Sequence, residues 1–234
     1  MSLPHLGDLL DFLFGRVKRD AGALPDQLMT GTGRVAFRNM IERAYFDGSR
    51  AGYVAHGSYL GAARNPSKGM ASDWRDAAIT QGATIASRLD KIVARNGWTT
   101  GLQITNYATL AGIQSVWGGQ DTAGNELAKL MDVQWKEWTR AWARRQHRSW
   151  HDELDGVIIP ESREFRLPGG PHQGNRVHGP RAWDDVGAAD EWINCGHALK
   201  FHREVTHSSL SRTMRGIGTV YSPPTAGPRF GGTP

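Results

Sequence analysis

The chain has 234 residues, of which 39% are hydrophobic and 22% are charged, and its 28 basic and 23 acidic residues give a net charge of +5. This length supports one domain with extensions, and no apolar run approaches the roughly 18 to 20 residues that cross a membrane. The single cysteine excludes an intramolecular disulfide framework and a cysteine-cluster zinc module. The charge favours an acidic partner such as nucleic acid, although so small an excess also fits a solvated surface.

Residues 1–30 are predicted to form an N-terminal arm that contains a short amphipathic helix. Apolar residues recur there at spacings of three and four, namely Leu6, Leu9, Leu10, Leu13, Phe14 and Val17. Asp8 and Asp11 interrupt this stretch and no basic leader precedes it, so a signal peptide is not expected. A helix this short is marginal in water on its own. It therefore packs either on its own domain or on a neighbouring subunit, and the sequence leaves both alternatives open.

Residues 31–132 are predicted to form a helical region, with Thr32 as the cap of its first helix. That helix meets a series of glycines at Gly48, Gly52, Gly57 and Gly61. Each interior glycine costs up to about 1 kcal/mol relative to alanine. The series therefore predicts either close backbone packing or a broken helix.

Two more helices are expected in this region. Ser72 is predicted to cap a helix over residues 73–95, which Asn96-Gly97 then ends. The next helix is predicted to break at Gly118-Gly119 and to resume over residues 121–131.

Residues 133–204 combine helical spacing with strong turn signals. Trp135, Trp138 and Trp142 recur at spacings of three and four, which would carry a helix towards Trp150. Asp-Gly in the segment Leu154-Asp155-Gly156 predicts a turn, because glycine adopts a positive φ without steric cost. Beyond it the chain is rich in glycine and proline and needs apolar clamps, for which Phe165, Trp183 and Trp192 are the candidates.

A set of residues in this C-terminal region follows a recognisable order: Arg148, His151, Leu154, Asp155, Gly156, Pro160, Phe165, Pro180, Glu191, Asn194 and Cys195. This order resembles the phage Mu F-like family of head morphogenesis (minor head) proteins. That family typically shows an Arg-rich run, a His, an L-D-G-like turn, a Gly/Pro-rich middle and a closing E-x-x-N-C-R-C-like segment. Gly196 and His197 stand where the family has Arg and a second Cys. This departure puts in doubt any role that needs two sulfurs.

The resemblance implies a strand-like segment near residues 135–139, in contrast to the helix that the tryptophan spacing favours, and this choice stays open. It also implies a non-enzymatic virion structural protein of the head/portal vertex, which assists head assembly and genome packaging or ejection. The alternatives are a head–tail connector or adaptor that forms a ring on the portal, and a DNA-binding module. The implied partners are the portal protein, other virion proteins and copies of the chain itself. The implied location is the virion head or neck, reached from the host cytoplasm, with no membrane and no cofactor.

Candidate chemistry in the sequence is sparse. His147 and His151 share a helical face if that segment is helical, and Cys195, His197 and His202 are further possible metal ligands, but no H-E-x-x-H pattern is present. The alternative, which we favour, is that His151 forms hydrogen bonds within the turn and that Cys195 is a small buried apolar residue. The carboxylates of Asp152, Glu153 and Asp155 are expected to solvate the turn. We therefore predict neither an enzyme nor a metal site.

A basic run precedes the turn, with cations at Lys136, Arg140, Arg144, Arg145 and Arg148 among the tryptophans. Positive charge interleaved with aromatic residues is typical of a nucleic-acid surface. The alternative is that the tryptophans are core and the cations face solvent or pair with acidic groups, which tryptophan at helical spacing favours. These five residues are therefore candidate DNA or partner contacts.

The last segment, residues 205–234, is predicted to be a tail. Nine of its 30 residues are glycine or proline, which is too many to form a core. We expect the terminal segments to contact other subunits. The overall prediction is an α+β fold, with a mainly α-helical body, a small irregular β-containing C-terminal region and extended termini.

Overall fold

The computed structural model describes residues 6–24, 31–96, 101–141, 149–180 and 196–205. Four long helices come first in the chain: α1 (Leu6–Gly22), α2 (Gly31–Leu60), α3 (Lys68–Asn96) and α4 (Gly101–Leu130). Short elements follow them: β1 (Trp135–Arg140), α5 (Ser149–Asp152), β2 (Ile158–Pro160), β3 (Phe165–Arg166), β4 (Arg176–Val177) and β5 (His197–His202). The protein is thus α+β with a mainly helical body, which confirms the predicted fold class. None of the helices in these ranges has both the length and the apolar composition to cross a membrane.

Helix α1 lies against α2 and α4 of its own chain. Its apolar face is buried, with Leu6 and Leu10 fully covered, and Phe14 packs on Trp117 of α4 with ring centroids 5.7 Å apart. An ion pair between Arg16 and Asp47 holds it to α2. Of the two alternatives left open for this helix, packing on its own domain is therefore the one observed. Its apolar face is not available to another subunit.

Helices α2 and α4 cross in direct backbone contact. A Cβ on Gly48 would overlap the Val116 backbone, and one on Gly119 would overlap the Tyr45 carbonyl oxygen. A Cβ on Gly52 would come within 2.6 Å of the Gln120 carbonyl oxygen. Both helices run through their glycines without interruption, so the break expected at Gly118-Gly119 is wrong. Of the two alternatives for the glycine series, close backbone packing is correct at Gly48 and Gly52, where the missing side chains let the helices approach. Gly61 lies directly after the end of α2, at a φ of 74°.

Helix α3 begins earlier than the sequence predicted. The Ser67 hydroxyl accepts a hydrogen bond from the Met70 amide at 3.2 Å, so Ser67 caps the helix and the cap expected at Ser72 is wrong. The helix ends at Asn96, next to the expected stop. Trp74 is fully buried and its indole Nε1 donates to Glu126 of α4 at 2.6 Å.

The larger sheet has three antiparallel strands in the order β2-β1-β5. Strand β1 is central, with Lys136 opposite both Ile159 and Phe201. The helix favoured by the tryptophan spacing is therefore wrong for residues 135–140, and the strand implied by the resemblance is observed. Strands β3 and β4 form a separate two-stranded sheet in the Gly/Pro-rich part.

The buried side chains form three clusters, two of which matter below. The junction core joins the helices to the sheet and includes Tyr53, Trp74, Leu127, Trp138, Leu154, Phe165 and Phe201. The distal core lies among the helices alone and consists of Ala21, Leu24, Phe37, Met40, Ile41, Ile85, Leu89, Ile104, Ala108 and Ala111.

Candidate functional site

The turn that carries the family resemblance is bonded directly to β1. The Gly156 amide donates to the Trp138 carbonyl at 2.7 Å, and the Trp138 amide donates to the Val157 carbonyl at 3.0 Å. Gly156 has a φ of 83°, in the left-handed region that the Asp-Gly pair predicted. Leu154 is buried beneath the turn at 1% exposure. The turn is thus a fixed extension of the sheet.

Asp155 and Asp152 both hold the end of β1. The Asp155 carboxylate accepts a hydrogen bond from the Arg140 amide at 2.7 Å, and the Asp152 carboxylate accepts one from the Arg140 guanidinium at 2.6 Å. Both carboxylates therefore serve as hydrogen-bond acceptors for the strand end. In this arrangement their charge positions backbone and guanidinium groups.

His151 lies in an aromatic cluster under the turn. The ring is fully buried and makes edge contacts with Trp138 and with His197 of β5, at centroid distances of 5.7 and 6.1 Å. The His197 Nε2 atom lies 3.5 Å from the Asp152 carboxylate. His151 and His197 are 46 positions apart in sequence, so strand pairing is what brings them together. We call His151, Trp138, His197 and Asp152 the histidine cluster.

The closing segment returns to the same strand end. The Ala141 amide donates to the Gly196 carbonyl at 2.9 Å, directly after which β5 pairs with β1. Glu191, Asn194 and Cys195 precede this point and lie outside the described residues, as do Trp183 and Trp192. Phe165, the remaining predicted clamp, is buried at 1% exposure and packs on Trp138 at 5.3 Å.

The basic run does not form one exposed surface in the described part of the chain. Lys136 is 2% exposed and its ammonium lies 5.8 Å from the centre of the Phe165 ring. Burial lowers the pKa of Lys136, against the opposing effect of Glu161 and Glu164. Arg140 is engaged with Asp152. Arg144, Arg145 and Arg148 lie outside the described residues, so among these candidates Lys136 is a core residue and offers little area to DNA.

A buried polar chain links the helices to the sheet, and the sequence reasoning did not find it. The His56 ring lies 2.9 Å from the Gln120 amide through Nε2 and 2.7 Å from the Tyr59 hydroxyl through Nδ1. The Tyr59 hydroxyl in turn accepts a hydrogen bond from the Phe201 amide of β5 at 3.1 Å. Burial lowers the pKa of His56 to about 3, so the ring is neutral. The only local signal was the spacing of three between His56 and Tyr59, which places both on one helical face.

The sequence analysis also did not predict a polar contact between two strands of the sheet. Glu137 of β1 accepts a hydrogen bond from His202 of β5 at 2.7 Å, and its carboxylate lies 3.8 Å from the Lys200 ammonium. Burial alone would raise the pKa of Glu137. The hydrogen bond from His202 and the positive charge of Lys200 outweigh that effect, so the pKa lies below its usual value. His202 thus pairs with a carboxylate. Among the described residues, no group of three or more His, Cys, Asp or Glu side chains is arranged to hold a metal ion.

Comparisons with protein-family models, with curated proteins and with solved structures find no match to this chain. What the histidine cluster can do chemically is therefore judged from its geometry. Its carboxylate, Asp152, and the neighbouring Asp155 hold a strand end, and its rings fill the space beneath the turn. Such an arrangement is suited to keeping a loop-rich module in one shape.

Proposed function

We propose that the protein is a bacteriophage virion structural protein of the head/portal vertex, a minor head protein that assists head assembly and genome packaging or ejection. The observation that supports the proposal is the convergence of four described motif residues on one strand end. His151, Leu154, Asp155 and Gly156 bond to or pack on β1, where the closing segment also returns through Gly196. The described part of the motif around the turn thus belongs to one packed module with β1.

The chemistry of that module favours a structural role. Asp155 and Asp152 both bond to Arg140, and His151 is enclosed by aromatic rings with no exposed surface. A general acid or base must reach a substrate proton directly or through one water. Within the described part of the chain, the His151 side chain is fully buried and has no such access. These two carboxylates and the His151 ring therefore stabilise the shape of the chain, as an assembly module requires.

A head–tail connector is the second candidate within the same class. The extended termini favoured that alternative, because terminal arms can thread between the subunits of a ring. Helix α1 instead covers α2 and α4 of its own chain, which removes the N-terminal arm from the argument. The minor head protein is therefore the function we favour.

Co-purification with the portal protein encoded by the same phage genome tests the proposal. The tagged chain is expressed with that portal, and association is measured on affinity resin and by sedimentation. The variant Gly156→Val strains the motif turn, because φ is 83° there. The matched control Gly61→Val applies the same strain at a φ of 74°, in a turn outside the module.

We expect the wild-type chain and Gly61→Val to bind the portal and Gly156→Val to bind at least tenfold more weakly. A wild-type chain that neither binds the portal nor enters particles would contradict the proposal. A hydrolysis or group-transfer activity that depended on His151 or Asp152 would also contradict the proposal, because it would show that the module is an active site.

A further inference from the structure

Positive charge is concentrated at one end of the helical body. The helical segments around the distal core, residues 16–24, 31–43, 82–96 and 101–111, contain nine basic and three acidic residues. The rest of the helical region, residues 6–15, 44–81 and 112–132, contains five basic and eight acidic residues. The two parts therefore carry net charges of opposite sign, which the modest net charge of the whole chain conceals.

The segments with the basic excess meet in space. Ala21 of α1, Phe37 of α2, Ile85 of α3 and Ile104 of α4 all belong to the distal core. Because α1 and α3 run antiparallel to α2 and α4, the C-terminal halves of the first pair lie beside the N-terminal halves of the second. One end of the bundle thus gathers the cations of three segments that are far apart in sequence, residues 16–24, 31–43 and 82–96, beside the uncharged segment 101–111.

Most of these cations lie on the surface, and two of the three acidic residues among them, Asp20 and Glu42, are paired with arginines. Exposed side chains around the distal core include Lys18, Arg19, Arg34, Arg43, Arg88 and Lys91. Glu42 pairs with Arg38 at 2.6 Å, and Asp20 pairs with Arg43 at 3.8 Å. A net positive field therefore remains at this end, which we call the basic end.

We propose that the basic end binds the phosphate backbone of duplex DNA without reading its sequence. Arginine is the main cation there, and its planar guanidinium matches phosphate oxygens in two parallel hydrogen bonds. The large apolar side chains exposed around the distal core in the described residues are aliphatic: Val35, Leu102 and Leu110. Single-stranded nucleic acid is held by stacking on exposed aromatic rings, so the observed surface fits a duplex better than a single strand.

The dimensions agree with that partner. Adjacent helices with side chains are about 10 to 12 Å in diameter, so the helices at the basic end span on the order of 20 to 30 Å. A duplex presents one phosphate charge for every ~1.7 Å of its axis. Several cations can therefore contact phosphates at once. The proposal rests on the proposed function only for the source of the DNA, which would be the phage genome.

Fluorescence anisotropy with a labelled 20-base-pair duplex, at several salt concentrations between 50 and 200 mM, tests the proposal with the full chain alone. The test variant is Lys18→Glu/Arg88→Glu/Lys91→Glu at the basic end. The matched control is Arg50→Glu/Lys68→Glu/Lys129→Glu on the other part of the helical body, where the three side chains are also exposed. Both variants lower the net charge by the same amount, and a thermal melt checks that both are folded.

We expect the test variant to bind at least tenfold more weakly at 100 mM salt, and the control to stay within threefold of wild type. Loss of three phosphate contacts should also reduce the slope of log K against log salt by about 2.7. Equal loss in both variants, or no wild-type binding at 50 mM salt, would overturn the proposal. Binding of polyglutamate without binding of the duplex would also overturn it and would indicate an acidic protein partner. Because no portal is present, these results are independent of the portal-binding test.

Discussion

The contact between α2 and α4 gives the sharpest test of how the helical body is held together. In the variant Gly48→Ala, the added Cβ would overlap the Val116 carbonyl group and come within 2.8 Å of the Val116 Cα atom. These are backbone atoms inside a continuous helix, so neither can move aside as a flexible side chain would. Overpacking of a core typically costs 1 to 3 kcal/mol. We place this substitution at about 3 kcal/mol, because the obstacle is backbone.

Alanine also has a favourable effect that must be subtracted. It is a better helix former than glycine by about 1 kcal/mol, so the net loss in the free energy of unfolding is about 2 kcal/mol. Gly15→Ala in α1 is the matched control, because its Cβ would meet only the end of the Arg19 side chain at 3.8 Å. That variant should be more stable than wild type by about 0.5 to 1 kcal/mol.

Thermal unfolding followed by far-UV circular dichroism checks the pair. For a chain of this size, 1 kcal/mol shifts the melting temperature by about 2 to 4 °C. We therefore expect Gly48→Ala to melt about 4 to 8 °C below wild type and Gly15→Ala slightly above it. If both variants shifted in the same direction by similar amounts, helix propensity would explain the result and the close backbone contact would be refuted.

Four further predictions concern the turn, the buried histidine, metals and the tail. Gly156→Val should lower stability by about 1 to 2 kcal/mol through strain at positive φ and speed proteolysis after Val157; unchanged digestion would contradict a structural turn. Burial lowers the pKa of His56 from its ordinary value of 6.5 to about 3 in the folded chain. Because the unfolded chain binds the extra proton, stability is full above pH 6.5 and falls by about 2 to 3 kcal/mol at pH 4.5; His56→Gln should flatten that part of the urea-midpoint profile, and an unchanged slope would contradict the assignment. A chelator should leave the melting temperature unchanged, and elemental analysis that finds one tightly held zinc per chain would reverse that expectation. Deleting residues 215–234 should leave a folded chain that enters particles poorly, and normal incorporation would argue against intersubunit contacts of the tail.

Local signals in the sequence were enough for several features. The apolar spacing of α1, the stop at Asn96 and the positive φ at Gly156 were all predicted correctly. Each depends on a residue and its neighbours within about four positions, where spacing and conformational preference act directly. The mainly helical body followed from the same signals, whereas the strand near residues 135–139 was only implied by the family resemblance.

Other features depended on partners that are remote in the chain. Gly119 continues a helix because the Tyr45 backbone fills the space where a side chain would stand. The segment 135–140 has the tryptophan spacing of a helix, yet it is a strand because β2 and β5 supply its hydrogen bonds.

Burial of side chains was decided in the same way. Lys136 was a candidate DNA or partner contact, and it lies buried against Phe165. The polar chain through His56 joins α2, α4 and β5. The charge excess at the basic end could not be predicted for the same reason, since three segments that are separate in sequence contribute to it. Residues differ in their local conformational preference by up to about 1 kcal/mol each. Burial of a large apolar side chain against a distant partner contributes about 1.5 to 3 kcal/mol, so it can override that preference. The sequence by itself therefore determined the features that neighbouring residues set, such as helix α1, the end of α3 and the turn at Gly156. The tertiary structure decided that residues 135–140 form a strand, and which side chains are buried, paired or exposed.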